Sequence, residues 1–212
     1  MSQSRQYFDN VAKDWDTMRR QMFGDGVRNK VIQMAQPKSD WIVADVGTGT
    51  GFLALGFAPL VKRVIGIDQS PEMIKIAEEN LKDHSNFETR CGVFGSLPLG
   101  EGEVDAVVGN MILHHAIDPA GAIVEMARAL KPGGVLVLSD ADSHNYQWLR
   151  EEHHDIWLGF ERDRIREWFE QAGLMDVAID CSGEVCCPVS EEHKDERPEI
   201  TIWVGRGVKG IV

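Results

Sequence analysis

The segment that decides the fold is the glycine-rich turn Asp45-Val-Gly-Thr-Gly-Thr-Gly51. It follows a short apolar run at residues 41–44, which is typical of a buried strand, and a second apolar run at residues 64–67 ends at Asp68. A glycine-rich turn after one strand and an acid at the end of the next are typical of a nucleoside-binding α/β unit. The glycines permit close approach of a ligand, and the Asp68 carboxylate can accept hydrogen bonds from both ribose hydroxyls.

The spacing of the glycines narrows the class of ligand. A dinucleotide fingerprint requires G-x-G-x-x-G, but here Gly47, Gly49 and Gly51 alternate, and Phe52 stands where the third fingerprint glycine would fall. A phosphate-binding P-loop ends in Gly-Lys-Ser/Thr, which this segment does not. We therefore expect a nucleoside ligand without phosphates. The alternative is a turn that binds nothing, which requires these glycines and both acids to coincide by chance.

The composition of the chain limits its partners. The 212 residues, 43% hydrophobic and 26% charged, suit one soluble α/β domain at residues 1–212. The formal net charge of −12 repels polyanions, so we expect neither nucleic acid nor an anionic membrane surface as a partner. Without a membrane-spanning apolar stretch or an apolar secretion signal at the first residues, we expect a cytoplasmic protein with reduced thiols. The sequence does not determine the oligomeric state.

Strands and helices alternate from residue 41 to about residue 140, as in a doubly wound sheet. We predict seven strands, at residues 41–44, 64–67, 86–90, 104–108, 135–139, 174–181 and 199–204. Residues 1–40 are predicted to form an N-terminal helical cap, with one helix over residues 7–36. Residues 141–160 are predicted to contain a lid helix, and residues 182–198 are predicted to lie outside the core.

Five motifs occur in order along the chain: Asp45-Val-Gly-Thr-Gly-Thr-Gly51, Ile67-Asp68, Ser70-Pro-Glu-Met73, Asn110-Met-Ile-Leu-His-His115 and Leu130-Lys-Pro-Gly-Gly134. This set resembles the class I S-adenosylmethionine-dependent methyltransferases, in the branch that includes the ubiquinone/menaquinone C-methyltransferases and the arsenite methyltransferases. The stretch Trp157-Leu-Gly-Phe160 is similar to methyltransferases joined to arsenic-type repressor domains. The resemblance implies a Rossmann-like sheet of seven mostly parallel strands with an antiparallel last strand.

The same resemblance implies S-adenosylmethionine as the cofactor and assigns residues to it. The turn at residues 47–49 would contact the methionine portion and ribose, Asp68 would hold the ribose, and Asn110 would lend its carbonyl to the methionine amino group. Gln69 and Met73 would border the adenine. The expected cofactor site consists of Asp45, Gly47, Thr48, Gly49, Gly51, Asp68, Gln69, Met73, Val93, Phe94, Asn110, Met111 and His115.

One position departs from the family pattern. Before Leu97-Pro98 the family usually has Gly-Asp, whose acid accepts a hydrogen bond from the adenine amino group, but this chain has Gly92-Val93-Phe94. The valine side chain cannot accept that hydrogen bond, so we expect backbone amides and apolar packing to hold the adenine. The departure also leaves open a second class of function, a module that binds S-adenosylmethionine as a sensor or scaffold without turnover.

The candidate catalytic residues are two adjacent histidines. Methyl transfer from a sulfonium requires an aligned nucleophile, and a hydroxyl or carbon acid also needs a general base. His114 and His115 follow the fourth strand, at the carboxyl edge where ligands bind. The alternative is that His115 packs on the cofactor and His114 caps the loop. His153 and His154, beside several acids, could bind a metal or form a solvated helix face.

Cysteines are concentrated near the C-terminus, where Cys181, Cys186 and Cys187 fall within seven positions of a predicted loop. Soft thiolates select soft metals and metalloids, so the cluster could bind trivalent arsenic, with Cys91 near the same edge. The alternative is a reduced cluster without function. The sequence therefore predicts a methyltransferase acting on a small-molecule acceptor, with a thiol or metalloid acceptor as the alternative.

Overall fold

The computed structural model describes residues 3–190, 192–193 and 195–211. Its strands are β1 (Ile42–Val46), β2 (Arg63–Asp68), β3 (Phe87–Cys91), β4 (Val104–Asn110), β5 (Leu130–Ala141), β6 (Leu174–Cys186) and β7 (Ile200–Lys209). They form one sheet in the order β3-β2-β1-β4-β5-β7-β6. All pairs from β3 to β5 are parallel, while β7 is antiparallel to both of its neighbours. The predicted seven-stranded, mostly parallel sheet with an antiparallel last strand is confirmed.

The helices of the structure are α1 (Gln3–Val11), α2 (Trp15–Met22), α3 (Gly26–Ala35), α4 (Phe52–Phe57), α5 (Pro71–Asn80), α6 (Pro119–Ala129), α7 (Trp148–Glu152) and α8 (Arg162–Gln171). Two of them begin as their capping residues predict. Ser70 Oγ accepts a hydrogen bond from the Met73 amide, and Asp118 accepts one from the Gly121 amide. Among the described residues, no helix is long and apolar enough to cross a membrane.

Apolar side chains cover both faces of the sheet. Helices α3 and α4 pack on one face, where Val27, Val31 and Phe57 are fully buried. Helices α6 and α8 pack on the other, with Ile123 and Phe169 in its core. The central strands are buried on both sides, as parallel strands between two helical layers require. The carboxyl ends of β1, β2, β4 and β5 consequently meet at one edge of the sheet.

The N-terminal cap is helical, but it is broken into three helices rather than the single helix predicted over residues 7–36. The chain leaves α2 at Phe23, whose backbone is extended (φ −154°, ψ 157°). Phe23 is buried, and its ring lies 5.8 Å from that of Phe52. A continuous helix could not direct Phe23 into this core, so burial of its ring outweighs the local helical preference.

The helix predicted within residues 141–160 is much shorter in the structure. Of residues 141–160, the segment Trp148–Glu152 is helical and most of the remainder is irregular. The amides of Ser143 and His144 donate to the carbonyls of Phe160 and Leu158, so the two ends of the segment pair with each other. These hydrogen bonds close a loop, which the helical periodicity of the sequence did not predict.

Two strand boundaries also differ from prediction. The Lys131-Pro-Gly-Gly134 stretch, which precedes the predicted strand at residues 135–139, lies within β5, where a register shift opposite β4 accommodates it. Strand β6 continues to Cys186, beyond the predicted end at Cys181, because two register shifts against β7 interrupt its alternation. Cys181 and Cys186 therefore lie on a strand and not on a loop.

Candidate functional site

A cleft opens at the carboxyl edge of the parallel strands. One end is lined by the glycine-rich turn and the end of β2, and the other by α1 and the two adjacent histidines. The two ends belong to one continuous cavity, so ligands at both ends would face each other. All of the predicted cofactor residues except Gly51 line this cleft, namely Asp45, Gly47, Thr48, Gly49, Asp68, Gln69, Met73, Val93, Phe94, Asn110, Met111 and His115.

The glycine-rich turn is held by hydrogen bonds from both sides. The amides of Gly47 and Thr48 donate to the Ile67 carbonyl at 2.8 and 3.0 Å. Asp45 Oδ2 accepts from Thr48 Oγ1 at 2.8 Å and from the Ala54 amide at 3.0 Å. Burial raises the pKa of Asp45 to about 7, although these two hydrogen bonds lower it. Asp45 thus fixes the shape of the turn by joining its first residue to α4.

Glycine is required in this turn for steric reasons. Gly47 has φ +67°, and a Cβ there would lie 2.5 Å from Ile112 Cγ2. Gly51 has φ +93°, and a Cβ there would lie 2.5 Å from Leu81 Cδ1. Gly51 therefore permits the packing of the turn against Leu81 at the end of α5, and Gly47 permits the close approach of Ile112 at the cleft wall.

Asp68 lies on the cleft wall at the end of β2. Its Oδ2 accepts from the Gly49 amide and its Oδ1 from the Ser70 amide, each at 2.9 Å. Burial raises the pKa of Asp68, while the amides of Ser70 and Gly49 oppose the shift. Each carboxylate oxygen has a second acceptor position, so Asp68 can still accept hydrogen bonds from two ligand hydroxyls.

The wall beyond Asp68 is largely apolar. Met73 and Leu97 are buried there, and Phe94 is partly buried. Val93 stands at the rim with 53% of its surface exposed and forms an isolated bridge with Ser96. This arrangement suits an aromatic base held by packing, which is what the sequence predicted from the absence of an acid at Val93.

Asn110 and Met111 form the floor between the two ends of the cleft. Asn110 Oδ1 accepts from Ser139 Oγ at 2.8 Å, and the Met111 amide donates to the Ser139 carbonyl. Met111 has φ +54°, a left-handed conformation that is uncommon for a residue with a side chain. The structure thus stores local backbone strain between the cofactor residues and the histidines.

His114 is fixed by a buried carboxylate that the sequence analysis did not identify. Asp140 is fully buried, and its Oδ1 lies 2.7 Å from His114 Nδ1. Its Oδ2 accepts from the amides of Leu113 and His114 at 2.8 and 3.3 Å. Burial opposes a charge on His114, but the carboxylates of Asp140 and Asp155 outweigh it and raise the pKa of His114 to about 9. One sequence signal could have identified Asp140: like Asp68, it lies near the end of an apolar strand.

His115 has the opposite electrostatic character. Its ring centroid lies 4.1 Å from that of His114 and 5.1 Å from that of Phe8. Its Nδ1 atom is buried and has no hydrogen-bond partner. Burial, followed by the nearby charge of His114, lowers the pKa of His115 well below its ordinary value. One histidine of the pair is therefore set up to carry a proton and the other to remain neutral.

We name the part of the cleft around His114 and His115 the acceptor end. Helix α1, the 142–160 loop and β6 also line it. Tyr7 and Phe8 of α1 contribute aromatic rings. The amides of Ile156 and Trp157 donate to the His114 carbonyl, which places Asp155 against both histidines. Sequence reasoning missed these residues because their proximity depends on how the cap and the 142–160 loop fold. The remaining lining residues at this end include His144, His153, Trp157 and Cys186.

The cysteines do not form the cluster that the sequence suggested. Cys91 lies on β3, at the opposite edge of the sheet from β6. Cys186 is buried in the cleft wall, and burial raises the pKa of its thiol to about 12. Within the described part of the chain, the three residues whose potential metal-ligand atoms converge are His114, His115 and Asp155, and no cysteine belongs to the group.

Comparisons with known proteins agree with this architecture. Residues 44–138 match the sequence family described as methyltransferase domain. An uncharacterized methyltransferase of Schizosaccharomyces pombe is 34% identical over 192 residues, which cover 80% of this chain and 66% of the relative. A demethylmenaquinone methyltransferase of Desulfitobacterium hafniense is 30% identical over 164 residues, which cover 73% of this chain and 64% of that protein. The chain thus spans just under two thirds of the length of these two relatives.

A solved structure shows the same fold over nearly the whole chain. It is the complex between the Haloferax volcanii Trm112 methyltransferase activator and a methyltransferase. The superposition has a TM-score of 0.79 at 24% sequence identity and covers 96% of this chain and 97% of the other. The helical cap and the antiparallel β6–β7 pair are therefore part of the shared fold.

Buried Asp45 predicts a specific pH dependence of stability. Its pKa is raised in the folded state, so between about pH 4 and pH 7 the folded protein holds a proton that the unfolded chain has released. The free energy of unfolding should fall as the pH rises through this window, and Asp45→Asn should remove that contribution. Urea unfolding at pH 5 and pH 8 should show a smaller decrease for the variant than for the wild type.

The exposed Asp163 on α8 provides the control for this measurement. Asp163→Asn should leave the difference between the two pH values unchanged. Parallel stability curves for the wild type and Asp45→Asn would contradict the assignment of the raised pKa to Asp45.

Proposed function

We propose that this chain, which matches the methyltransferase domain family over residues 44–138, transfers a methyl group from S-adenosylmethionine to a small-molecule acceptor. The observation that carries the proposal is the continuity of the cleft between Asp68 and the histidine pair. A ligand held by Asp68 and the glycine-rich turn would direct its far end toward His114 and His115. The acceptor would then occupy the acceptor end of the cleft.

The residues at the Asp68 end fit the three parts of this cofactor. The Asp68 carboxylate can accept from both ribose hydroxyls, and the wall of Met73, Phe94 and Leu97 can pack on the adenine. The turn at Gly47 and Gly49 would face the methionine portion, and Asn110 lines the same cleft. When bound, S-adenosylmethionine supplies an electrophilic methyl carbon. The protein must then hold the acceptor in line and remove its proton where it has one.

The acceptor end offers groups for both tasks. Tyr7, Phe8 and Trp157 give it aromatic walls that exclude water and position an organic acceptor. The free Nδ1 of His115 is available to accept a proton from the acceptor. Asp140 acts as a positioning residue, because its carboxylate sets the orientation of the His114 ring and of the turn that carries both histidines.

A thiol or metalloid acceptor receives less support than an organic one. The alternative requires several thiolates at one place, such as Cys181, Cys186 and Cys187, whereas among the described residues no cysteine belongs to a convergent group of ligand atoms. Burial of Cys186 also disfavours the thiolate form that would bind arsenic. The four cysteines are all free, which fits the reducing cytoplasmic location that we propose.

Turnover distinguishes an enzyme from a non-catalytic module that binds the same cofactor. Protein saturated with S-adenosylmethionine should form S-adenosylhomocysteine faster with one of three acceptor pools, namely phenols and quinols, thiols, or arsenite. We expect the first pool to give the acceleration, because the acceptor end is aromatic and contains a free imidazole base. Tight cofactor binding without acceleration by any pool would favour the module instead.

Asp68 provides the direct test of the cofactor site. Asp68→Ala removes a partly buried charged acceptor for two hydroxyls and should weaken binding of S-adenosylhomocysteine by about 2–4 kcal/mol. Calorimetry measures the loss, and thermal unfolding checks that the variant folds. The exposed Asp83 gives a matched control, since Asp83→Ala makes the same change outside the cleft and should leave affinity unchanged. Equal affinities for wild type and Asp68→Ala would exclude the assignment.

The valine at the rim of the cleft predicts a gain of affinity. Val93→Asp introduces a hydrogen-bond acceptor beside the adenine wall and should tighten cofactor binding by about 1 kcal/mol, or roughly fivefold. Ser96→Asp places the same charge on the bridged neighbour, which does not line the cleft, and should have no such effect. A marked loss of affinity in Val93→Asp would show that the wall is shaped around the valine.

A further inference from the structure

Three ligand atoms at the acceptor end lie close to one another. His114, His115 and Asp155 each offer one, and these three atoms lie within 4.8 Å of one another. Asp155 Oδ1 is 3.7 Å from His114 Nε2 and 3.9 Å from His115 Nδ1. All three side chains are about nine-tenths buried, so the group lies inside the cleft and not on a solvated surface.

His115 supplies an independent sign that a ligand belongs there. Its Nδ1 is buried and has no hydrogen-bond partner, and it faces Asp155. A buried polar atom without a partner destabilises the fold, and such an atom is therefore expected where a bound group satisfies it. A water or acceptor molecule could occupy this position, but the convergence of a carboxylate and a second imidazole favours a cation.

The environment of His114 has the form of a metal-bound imidazole. Asp140 engages Nδ1 at 2.7 Å, which leaves Nε2 to face Asp155. In metalloproteins a carboxylate commonly holds the outer nitrogen of a ligating histidine in this way and thereby fixes its orientation. Asp140 is itself held by the amides of Leu113, His114 and Ala141, so the ring is anchored to the backbone.

We propose that His114, His115 and Asp155 bind one divalent transition-metal ion inside the acceptor end of the cleft. Two imidazoles and one carboxylate select Zn²⁺, Fe²⁺, Co²⁺ or Ni²⁺ over Mg²⁺ and Ca²⁺, which prefer all-oxygen sites. Donors at bonding distance from a tetrahedral ion lie about 3.4 Å apart. The two separations from Asp155 Oδ1 exceed this distance by a few tenths of an ångström, and the ligand atoms of the two imidazoles lie within 4.8 Å of each other. Both imidazoles bind the ion in their neutral form, with Asp140 accepting from His114 Nδ1–H so that Nε2 is the ligand atom.

Three protein ligands leave at least one coordination position open toward the cleft. An oxygen of the acceptor could occupy that position, and the ion would then promote loss of its proton, in place of His115. This role rests on the proposed function, because it assumes an acceptor at that end of the cleft. Metal binding itself requires neither cofactor nor turnover, so the two proposals can fail separately.

Metal-stripped protein titrated with Zn²⁺ in a calorimeter, and with Co²⁺ by visible absorption, tests the site directly. We expect one ion per chain and a visible spectrum typical of four- or five-coordinate Co²⁺ with nitrogen and oxygen ligands. His115→Gln and Asp155→Asn should each weaken binding at least about 100-fold, and Asp140→Asn, which alters the support of His114 and of the turn that carries both histidines, about 10–100-fold. His84→Gln removes a histidine outside the cleft and should not change the affinity.

Several results would overturn the metal site. They are the absence of saturable binding in the wild type, equal binding by wild type and both ligand variants, and a sulfur-to-cobalt charge-transfer band, which would assign the ion to Cys186. Calorimetry of S-adenosylhomocysteine with the metal-stripped protein separates the two proposals. If the protein binds the cofactor but no metal, the proposed methyltransferase function stands, with His115 as the base. If it binds metal but no cofactor, the metal site stands and the proposed function fails.

Discussion

Buried carboxylates hold the loops at the carboxyl edge of the sheet. The backbone amides that follow a parallel strand have no strand partner, and they must find acceptors if they are buried. Asp45, Asp68 and Asp140 supply these acceptors near the ends of β1, β2 and β5. Each carboxylate accepts hydrogen bonds from a different loop, so the shape of the cleft depends on carboxylates that are shielded from solvent. The cost of that burial appears in the raised pKa values of Asp45 and Asp68.

The three carboxylates serve different chemistry because their loops differ. Asp45 hydrogen-bonds within the turn itself, and Asp68 keeps free acceptor positions toward the cleft. Asp140 pairs with the His114 imidazole and sets its orientation. The charge of Asp140 and Asp155 outweighs burial and favours a proton on His114, whereas burial, followed by the nearby charge of His114, keeps His115 neutral. A neutral His115 with an unpartnered Nδ1 next to a charged His114 is therefore a consequence of the fold at the β5 edge, and the two candidate roles of the pair, as base or as metal ligands, both start from it.

Much of the cofactor end could be predicted from the sequence because its signals are local. Glycine spacing, an acid closing a strand, and Ser70 before a proline each reflect short-range geometry. Asp140 was within reach by the same logic, since it lies near the end of an apolar strand as Asp68 does. The convergence of Asp155 with the histidines could not be predicted, because it depends on hydrogen bonds between Ile156, Trp157 and the distant His114 carbonyl. The position of Cys186 was hidden by the register shifts in β6, which break the strand's alternation.

The N-terminal cap connects the two ends of the cleft. Ser70 Oγ accepts from the Met73 amide and donates to Asp9 of α1 at 2.5 Å. The residue at the start of α5, beside the cofactor end, therefore also holds the N-terminal helices in place. The same helix carries Phe8, which packs edge-on against His115. A shift of the loop after Asp68 would therefore move α1 and, with it, the aromatic wall of the acceptor end. Occupation of one end of the cleft should consequently shape the other, which is how a two-substrate site can assemble its acceptor pocket around a bound cofactor.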